Sequence, residues 1–234
     1  SFDSSKSSEK QMTLNLENDY VFSGKVVSSL SSTPIVISQV ENLEFLDFEI
    51  DAKNSDYAVY FENENTLTLS GNLSVSSKYF SNYVHSTSKF IYVKNDFASS
   101  KSIKITFPYN LQASNVVRFE DMYSSSDYFM VVATGDYYSV RTNTGSGYLS
   151  AESFVTWNFD TNGGEFNSST IGGMTYPSFE TSLYRNFNFP TASDIQKDYS
   201  NFAGWFGKIE YNGKTYYFDK EMLKSNQEHL TDLE

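Results

Sequence analysis

The feature that most constrains this chain is an internal repeat of about 23 residues in its first half. The stretch IVISQVENLEFLDFEI (residues 35–50) aligns with AVYFENENTLTLSGNLSV (residues 58–75), and Asn42 falls on Asn65 at an offset of 23. Each copy consists of two or three short β runs joined by polar bends. A period of this length is typical of coils that stack on one another in a solenoid.

The alignment makes particular positions of the two copies equivalent. Leu43 is predicted to meet Leu67, and Ile50 to meet Val75 after small insertions. Asparagine suits the shared bend, because it tolerates the left-handed conformation that such corners require and can hydrogen-bond to the next coil. The sequence therefore predicts a right-handed parallel β-helix. A β-sandwich is the alternative, since its evenly spaced strands also give chance self-similarity.

A looser third copy runs from Phe90 to Phe107, with apolar positions at Ile91, Val93, Ile103 and Ile105. If all three copies are coils of one β-helix, equivalent strands should lie side by side. We therefore expect three segments to stack as parallel neighbours in one sheet: Ile35 to Ile37, Ala58 to Tyr60 and Ile91 to Val93.

The composition agrees with a fold that is mainly all-β. Aromatic residues make up 17% of the 234 residues, with 18 Tyr and 20 Phe, while Ser, Thr and Asn fill the gaps between apolar runs. This balance is typical of strands rather than helices. The chain has no cysteine, which excludes disulfides, thiolate metal sites and cysteine nucleophiles.

Changes in composition along the chain predict two domains and two connecting segments. Residues 1–11 are polar and rich in Ser and Lys, so they are predicted to be a disordered tether. Residues 12–140 hold the succession of β runs and form the β-helix-like domain. Residues 141–153, RTNTGSGYLSAES, are small and polar and are predicted to be a linker. Residues 154–234 form a second, smaller domain.

The stretch FVTWNFDTNGGEF in the second domain combines an alternating strand with a turn signal. Asn162-Gly163 is the strongest two-residue hairpin signal, because both central positions of a type I′ turn require positive φ, and Gly164 adds freedom for a bulge. A calcium loop would need further carboxylates spaced over about a dozen residues. A phosphate loop would need a following helix and a Lys-Ser/Thr pair. The pattern therefore predicts a structural turn.

A second Asn-Gly pair, Asn212-Gly213, lies in KIEYNGKTYYF between two apolar runs. By the same turn chemistry it predicts a hairpin in which Ile209 faces Tyr216.

The stretch FAGWF predicts an aromatic core position in the second domain. Gly204 lets Trp205 lie close to the backbone, and Phe202 and Phe206 flank it. We expect Trp205 to be buried and structural.

These motifs of the second domain resemble a known repeat family. TWNFDTNGG, then NFPTAS, then NFAGWF follow the order of the internalin-type B-repeat, also called the Listeria and Bacteroides repeat, over about residues 154–219. The resemblance implies a small β-grasp-like module of bacterial surface proteins, used in strings as an adhesive or spacing element. The closing strand of that family departs here at LTDLE. The residues that carry the motif, all with structural roles, are Asp160, Asn162, Gly163, Gly164, Phe202, Gly204 and Trp205.

The first domain resembles a second family. NDYVFSGKVV followed by PIVIS, NLEFLDFEI, YAVYF and NTLTLSG, within residues 12–76, is similar to the opening coils of secreted bacterial carbohydrate-binding β-helix domains. This resemblance implies a β-helix and a saccharide ligand.

The candidate ligand-binding residues lie where the repeat spacing breaks. The inserted bend SSKYFSNYVHSTSK carries Tyr79, Phe80 and Tyr83. Aromatic rings on an inserted loop can stack on the apolar C–H face of a sugar. The alternative is that they fold back as a cap on the local core.

The charge balance excludes two classes of partner. The formal net charge is −12, so the chain lacks the cationic surface that neutralises nucleic-acid phosphates or attracts anionic membranes. Membrane insertion is not predicted either, because no apolar run approaches the roughly 20 residues that a membrane helix needs.

The sequence offers little catalytic machinery. His85 and His229 are the only histidines, so neither a metal site nor a cofactor is predicted. Asp47, Glu49 and Asp51 alternate on one predicted strand and would share one face, which is compatible with a polysaccharide lyase or glycosidase. Three carboxylates at this spacing are more often a solvated sheet surface.

The sequence as a whole favours a non-catalytic bacterial protein that is secreted or displayed on the cell wall or cell surface. The expected activity is adhesin-like binding of a glycan or a host surface protein. A passive structural spacer is the first alternative, and a polysaccharide lyase or glycosidase is the second.

Overall fold

The structure is a computed structural model in which almost all regular structure is β-strand. The chain divides into two compact units, residues 1–134 with 140–153 and residues 135–139 with 154–234. The structure describes residues 2–6, 10–84, 86, 88–109, 111, 113–121, 126–135, 138–166, 170–171, 174–175, 178–182, 192–211 and 214–218.

The strands of the chain up to residue 158 are mostly short, as the spacing of the polar bends requires. One short 3₁₀ helix, η1, spans Ser126–Tyr128. The strands are β1 (Phe2–Asp3), β2 (Met12–Leu16), β3 (Tyr20–Val27), β4 (Ile35–Val40), β5 (Leu43–Asp51), β6 (Tyr57–Phe61), β7 (Leu67–Val75), β8 (Tyr79–Ser81), β9 (Ile91–Val93), β10 (Ala98–Ser99), β11 (Ile103–Phe107), β12 (Ser114–Phe119), β13 (Phe129–Ala133), β14 (Ser139–Gly145) and β15 (Tyr148–Asn158).

The strands of the first unit form two sheets. The first sheet follows the order β1-β3-β5-β7-β9-β12-β15-β14, and β10 also pairs with β7. The second sheet follows the order β13-β11-β8-β6-β4-β2. From β2 to β9 successive strands alternate between the sheets, and the pairs from β1 to β13 are parallel. The first unit is therefore a parallel β-helix, and the β-sandwich alternative is wrong.

The register of the coils confirms the repeat that the sequence predicts. Leu43 lies opposite Leu67, and Ile50 lies opposite Val75. Leu67 in turn lies opposite Ile91, so the period there is 24 residues (positions 43, 67 and 91). One residue of this count beyond the 23-residue offset is absorbed by a bulge or bend in each coil.

The third predicted copy is wrong by half a coil. The segments 35–37 and 58–60 are parallel neighbours in the second sheet, with Ile35 opposite Val59. Ile91–Val93, however, is β9 and lies in the first sheet between β7 and β12. The true equivalent is β8, a strand of only three residues inside the aromatic bend, whose apolar signal is too short to align.

The core lies between the two sheets and is built from columns of equivalent residues. Leu43, Leu67, Ile91 and Val117 follow one another in register on the first sheet, and none is more than 1% exposed. Stacking identical or similar apolar side chains buries each against the coils above and below, which is why a single coil is not stable alone.

The polar bends are held by asparagine side chains, as the repeat predicts. Asn65 is 3% exposed, and its Oδ1 accepts the backbone N–H of Val40, in the preceding coil, at 2.9 Å. Asn82 repeats this device one coil later, accepting the N–H of Phe61 at 2.7 Å and donating to its carbonyl at 2.9 Å. These bonds satisfy backbone groups that no strand ladder reaches.

Residues 141–153 are not the linker that the sequence predicts. They form most of β14 and the first part of β15, joined at Ser146-Gly147, where both residues have positive φ (52° and 80°). β15 pairs antiparallel with β12, and Leu149 and Ala151 are buried. The small polar residues mark a two-residue turn of the I′ kind and an exposed strand, so composition alone was misleading here.

The predicted tether at residues 1–11 also carries structure. Phe2 and Asp3 form β1, which pairs in parallel with Val26 and Val27 of β3. Phe2 packs against the core cluster, which gives the segment an apolar anchor that its polar composition hides.

The second unit contains further short strands that pair antiparallel. Phe154–Asn158 of β15 pairs with β19, β16 with β20, β17 with β18 and β21 with β22. The strands are β16 (Glu165–Phe166), β17 (Thr170–Ile171), β18 (Met174–Thr175), β19 (Ser178–Ser182), β20 (Ile195–Gln196), β21 (Gly207–Tyr211) and β22 (Lys214–Phe218).

Ile209 lies opposite Tyr216 in the antiparallel pair of β21 and β22, so this predicted pairing is confirmed. The turn residues themselves, Asn212 and Gly213, lie outside the described residues.

The FDTNGG segment forms the turn that the sequence predicts. Asn162 and Gly163 have φ values of 50° and 76°, the left-handed region that a type I′ turn requires. The N–H of Gly164 donates to the carbonyl of Thr161 at 3.1 Å, and Asp160 Oδ1 accepts the N–H of Asn162 at 2.8 Å. The turn does not close a hairpin, because the strands on either side of it pair with β19 and β20.

Trp205 is half-buried rather than enclosed as predicted. Its ring centroid lies 4.7 Å from that of Phe159, 5.4 Å from that of Phe202 and 6.4 Å from that of Phe166. Gly204 has a φ of 128°, a conformation that side-chain-bearing residues rarely adopt. The motif therefore packs an aromatic cluster in the second unit.

A buried serine in the core gives a first testable prediction. Ser81 is fully buried between Val59 and Ile105 in the second sheet, and its hydroxyl has no hydrogen-bond partner. Because an unsatisfied buried hydroxyl costs free energy, Ser81→Ala is expected to raise the free energy of unfolding by about 1 kcal/mol. Chemical denaturation followed by hydrogen exchange of the β8 amides measures this.

Ser153 is the matched control for Ser81→Ala. It is equally buried, but its Oγ accepts the N–H of Leu111 at 3.0 Å and donates to the Leu111 carbonyl at 3.1 Å. Ser153→Ala should therefore lower the free energy of unfolding. If both substitutions lower it, the Ser81 hydroxyl is satisfied and the prediction is wrong.

Candidate functional site

The outer face of the first sheet carries a cluster of one arginine and three aromatic rings. Arg118 on β12 lies opposite Tyr92 of β9 on one side and Tyr148 of β15 on the other, and Phe90 directly precedes β9. We call these four residues the arginine–aromatic cluster.

Strand alternation places these side chains on the outside of the β-helix. Val117 and Phe119, on either side of Arg118, are 0% and 4% exposed, so they face the core and Arg118 faces solvent. Arg118 itself is exposed, whereas Phe90, Tyr92 and Tyr148 are each half-buried. The rings thus have one side on the protein and one side accessible.

The guanidinium lies among the rings at cation–π distances. Its Cζ is 5.6 Å from the ring centroid of Tyr148, 5.7 Å from that of Phe90 and 5.9 Å from that of Tyr92, within the roughly 6 Å at which such interactions operate. Phe90 and Tyr148 meet edge to face with centroids 6.0 Å apart. The cluster is therefore a preformed platform in which the cation is held by aromatic rings.

A polar group adjoins the cluster on the same face. Tyr92 lies opposite Thr68, and Thr68 lies opposite Glu44. Lys94 Nζ donates to the two carboxylate oxygens of Glu44 at 2.8 and 3.0 Å, and Ser70 Oγ donates to the same carboxylate at 2.5 Å.

These contacts shift the ionisation of the pair. Burial raises the pKa of Glu44, but the hydrogen bonds from Lys94 and Ser70 lower it further, so the net pKa is below its usual range. The pKa of Lys94 is raised, chiefly by its bond to Glu44. Both groups stay charged near neutral pH, and each neutralises the other.

A shallow groove of about 530 Å³ lies farther along the same sheet. Its lining includes Asp47 and Glu49, two of the three carboxylates that the sequence singles out. Asp47 Oδ1 accepts the N–H of Asn72 at 2.9 Å, and Glu49 pairs with Lys25 at 2.6 Å. Both carboxylates are thus engaged within the protein.

The third carboxylate, Asp51, belongs to the end of β5 and lies 4.0 Å from Lys53. Asp47 has a φ of 49° and sits at a bulge in β5. The bulge shifts the alternation of the strand, so the simple spacing argument for a shared face does not hold for Asp47.

The aromatic residues that the sequence proposes for ligand stacking are not an exposed platform. Phe80 and Tyr83 are only 1% and 6% exposed, and Tyr83 packs on Phe107 with ring centroids 5.0 Å apart. Burial raises the pKa of the Tyr83 hydroxyl. These two residues cap the local core, which is the alternative that the sequence left open.

Tyr79 alone of the three stays half-exposed. Its ring lies 5.5 Å from that of Tyr57, which is in turn 5.7 Å from that of Tyr60, on the second sheet. Lys78 Nζ lies 4.9 Å from the Tyr79 ring centroid and 3.9 Å from Asp56. This tyrosine group is a second aromatic surface, but its cation already has a carboxylate nearby.

Within the described part of the chain, no group of three or more histidine or acidic side chains is placed to hold a metal ion. His85 and His229 lie outside the described residues. No helix in the described ranges has the length and apolar character needed to cross a membrane.

The fold defines the first unit as a parallel β-helix. In comparisons with known proteins, no family model, no curated protein and no solved structure matches the chain.

Sequence reasoning missed the arginine–aromatic cluster because its members come from three separate stretches. The signal was present in VVRF, where Arg118 interrupts an apolar alternation, and in FIYV, where Tyr92 does the same. Only the coil register shows that these positions are neighbours. Tyr148 was hidden by the interpretation of residues 141–153 as a linker.

Proposed function

We propose that this protein binds a glycan without cleaving it, through the arginine–aromatic cluster on the first sheet, as an adhesin-like protein of the bacterial surface or secreted fraction. The observation that carries the proposal is the exposed guanidinium of Arg118 held among three half-buried rings. The resemblance of the second domain to a bacterial surface repeat supports the location.

The chemistry of the cluster suits a saccharide. A sugar ring has an apolar C–H face that packs on an aromatic ring, and hydroxyls that need polar partners around its edge. Tyr92 and Tyr148 offer accessible ring surface together with phenol groups, and Thr68 and Glu44 extend the polar row. Because adjacent strands are about 4.8 Å apart, the row from Glu44 to Tyr148 spans about 19 Å, comparable to a short oligosaccharide.

A glycan array probed with the full chain tests the proposal. We expect Tyr92→Ala to weaken binding to every glycan that the wild-type protein retains, on the order of tenfold or more, because a stacking ring is lost. Isothermal titration with a retained glycan measures the change.

Tyr79→Ala is the matched control, since it removes a half-exposed tyrosine from the other sheet and should leave binding unchanged. If Tyr79→Ala weakens binding and Tyr92→Ala does not, the tyrosine group on the second sheet is the site. A blank array would favour the passive spacer. Release of new reducing ends from a glycan would show cleavage and contradict a non-catalytic role.

A further inference from the structure

We infer that the glycan recognised by the arginine–aromatic cluster carries a carboxylate, and that Arg118 binds this carboxylate. The inference rests on the proposed function and names the class of ligand. It follows from the charge state of Arg118, its surroundings and the overall charge of the chain.

Arg118 has no carboxylate partner in the part of the chain that the structure describes. Other cations on the same sheet do: Lys25 pairs with Glu49, and Lys94 pairs with Glu44. In a chain of net charge −12 an unpaired guanidinium among half-buried rings is conspicuous, because acidic neighbours are plentiful. The cluster thus holds a cation ready for an acceptor from outside the chain.

The geometry favours a carboxylate over other anions. A guanidinium is planar and presents a fork of N–H donors that matches the two oxygens of a carboxylate. Because the rings of Phe90, Tyr92 and Tyr148 surround the guanidinium without accepting conventional hydrogen bonds, its N–H donors stay free for a ligand. A carboxylate brought there by a sugar would be bound while the sugar ring lies on the neighbouring aromatic surface.

The net charge limits how acidic the ligand can be. A chain of −12 repels a densely charged polyanion at long range, so a heavily sulfated saccharide is disfavoured. One guanidinium compensates one anionic group at a time. The structure therefore fits a saccharide with isolated carboxylates, such as an alternating uronate or a terminal sialic acid.

Two matched pairs of probes test the inference on the full chain. The first is a hyaluronan tetrasaccharide and its carboxyl-reduced form, and the second is sialyllactose and its methyl ester. We expect the acidic member of at least one pair to bind on the order of 10- to 100-fold more tightly than its neutral counterpart, because a charge-assisted bidentate contact is lost in the neutral form. This preference should weaken as the salt concentration rises.

Three variants separate the cation from the rings. Arg118→Gln should abolish the preference for the acidic member, and Arg118→Lys should retain only part of it because the planar fork is lost. Tyr92→Ala should weaken both members of a pair equally. Arg141→Gln is the matched control, since Arg141 is an exposed arginine that already pairs with Glu152 at 3.2 Å, and it should change nothing.

The outcomes distinguish this inference from the proposed function. If neutral and acidic members bind equally and Arg118→Gln has no effect, the protein binds glycans but the carboxylate inference is wrong. If only a heparin tetrasaccharide binds, the anion is sulfate and the inference is again wrong. No binding in either pair together with a blank glycan array would overturn the proposed function and the inference with it.

Discussion

Leu67→Ala is expected to lower the free energy of unfolding of the β-helix by about 3 to 5 kcal/mol, a large part of the total stability of a domain of this size. Leu67 is 0% exposed and lies at the middle of the column from Leu43 to Val117. Its side chain is packed by coils on both sides, so the cavity left by the truncation cannot collapse without moving one of those coils.

Amide hydrogen exchange read by mass spectrometry measures this effect where it arises. Both tryptophans, Trp157 and Trp205, lie in residues 154–234, so tryptophan fluorescence reports on the second unit and cannot follow the β-helix. We expect faster exchange of the amides of β5 and β7 in Leu67→Ala. Met130→Ala is the control, because Met130 is an equally apolar side chain that is 48% exposed; comparable losses in both variants would contradict a core role for Leu67.

The β-helix could be predicted from sequence because its repeat is written in the side chains that stack. Leu43, Leu67 and Ile50 recur at nearly constant spacing, since each coil must present the same apolar position to the next. The prediction slipped at β8, where Tyr79–Ser81 provides only three residues and places a serine in the column. A short strand inside a long bend carries too little periodic signal to hold the alignment.

The terminal elements and the candidate site were not predictable in the same way. Composition marks residues 141–153 as a linker, yet Leu149 and Ala151 supply the alternation of a buried strand, and a Ser-Gly turn gives the reversal. The arginine–aromatic cluster depends on the lateral register of β9, β12 and β15. Register between distant strands depends on bend lengths, which a single sequence does not fix.

A second large effect is expected at Gly71, which lies beside the bulge residue Asp47. Gly71 has a φ of 59°, and a Cβ there would lie 2.4 Å from Asp47 Oδ1 and 2.9 Å from Asp47 Cγ. That Oδ1 accepts the backbone N–H of Asn72 at 2.9 Å. Gly71→Ala therefore combines left-handed strain with the displacement of a hydrogen-bonded carboxylate, and we expect it to cost about 2 to 4 kcal/mol in free energy of unfolding.

A double-mutant cycle with Asp47→Gly separates these two causes. Asp47→Gly removes the carboxylate that the new methyl group would meet, and glycine at this position accepts the φ of 49° without strain. In that background Gly71→Ala should cost only about 1 kcal/mol, the backbone contribution alone, so the two substitutions are coupled by the difference. Hydrogen exchange of the β5 and β7 amides in the four proteins measures the coupling. An equal cost of Gly71→Ala in both backgrounds would show that the carboxylate does not restrict this position, and the stacked bulge would then be stabilised by backbone conformation alone.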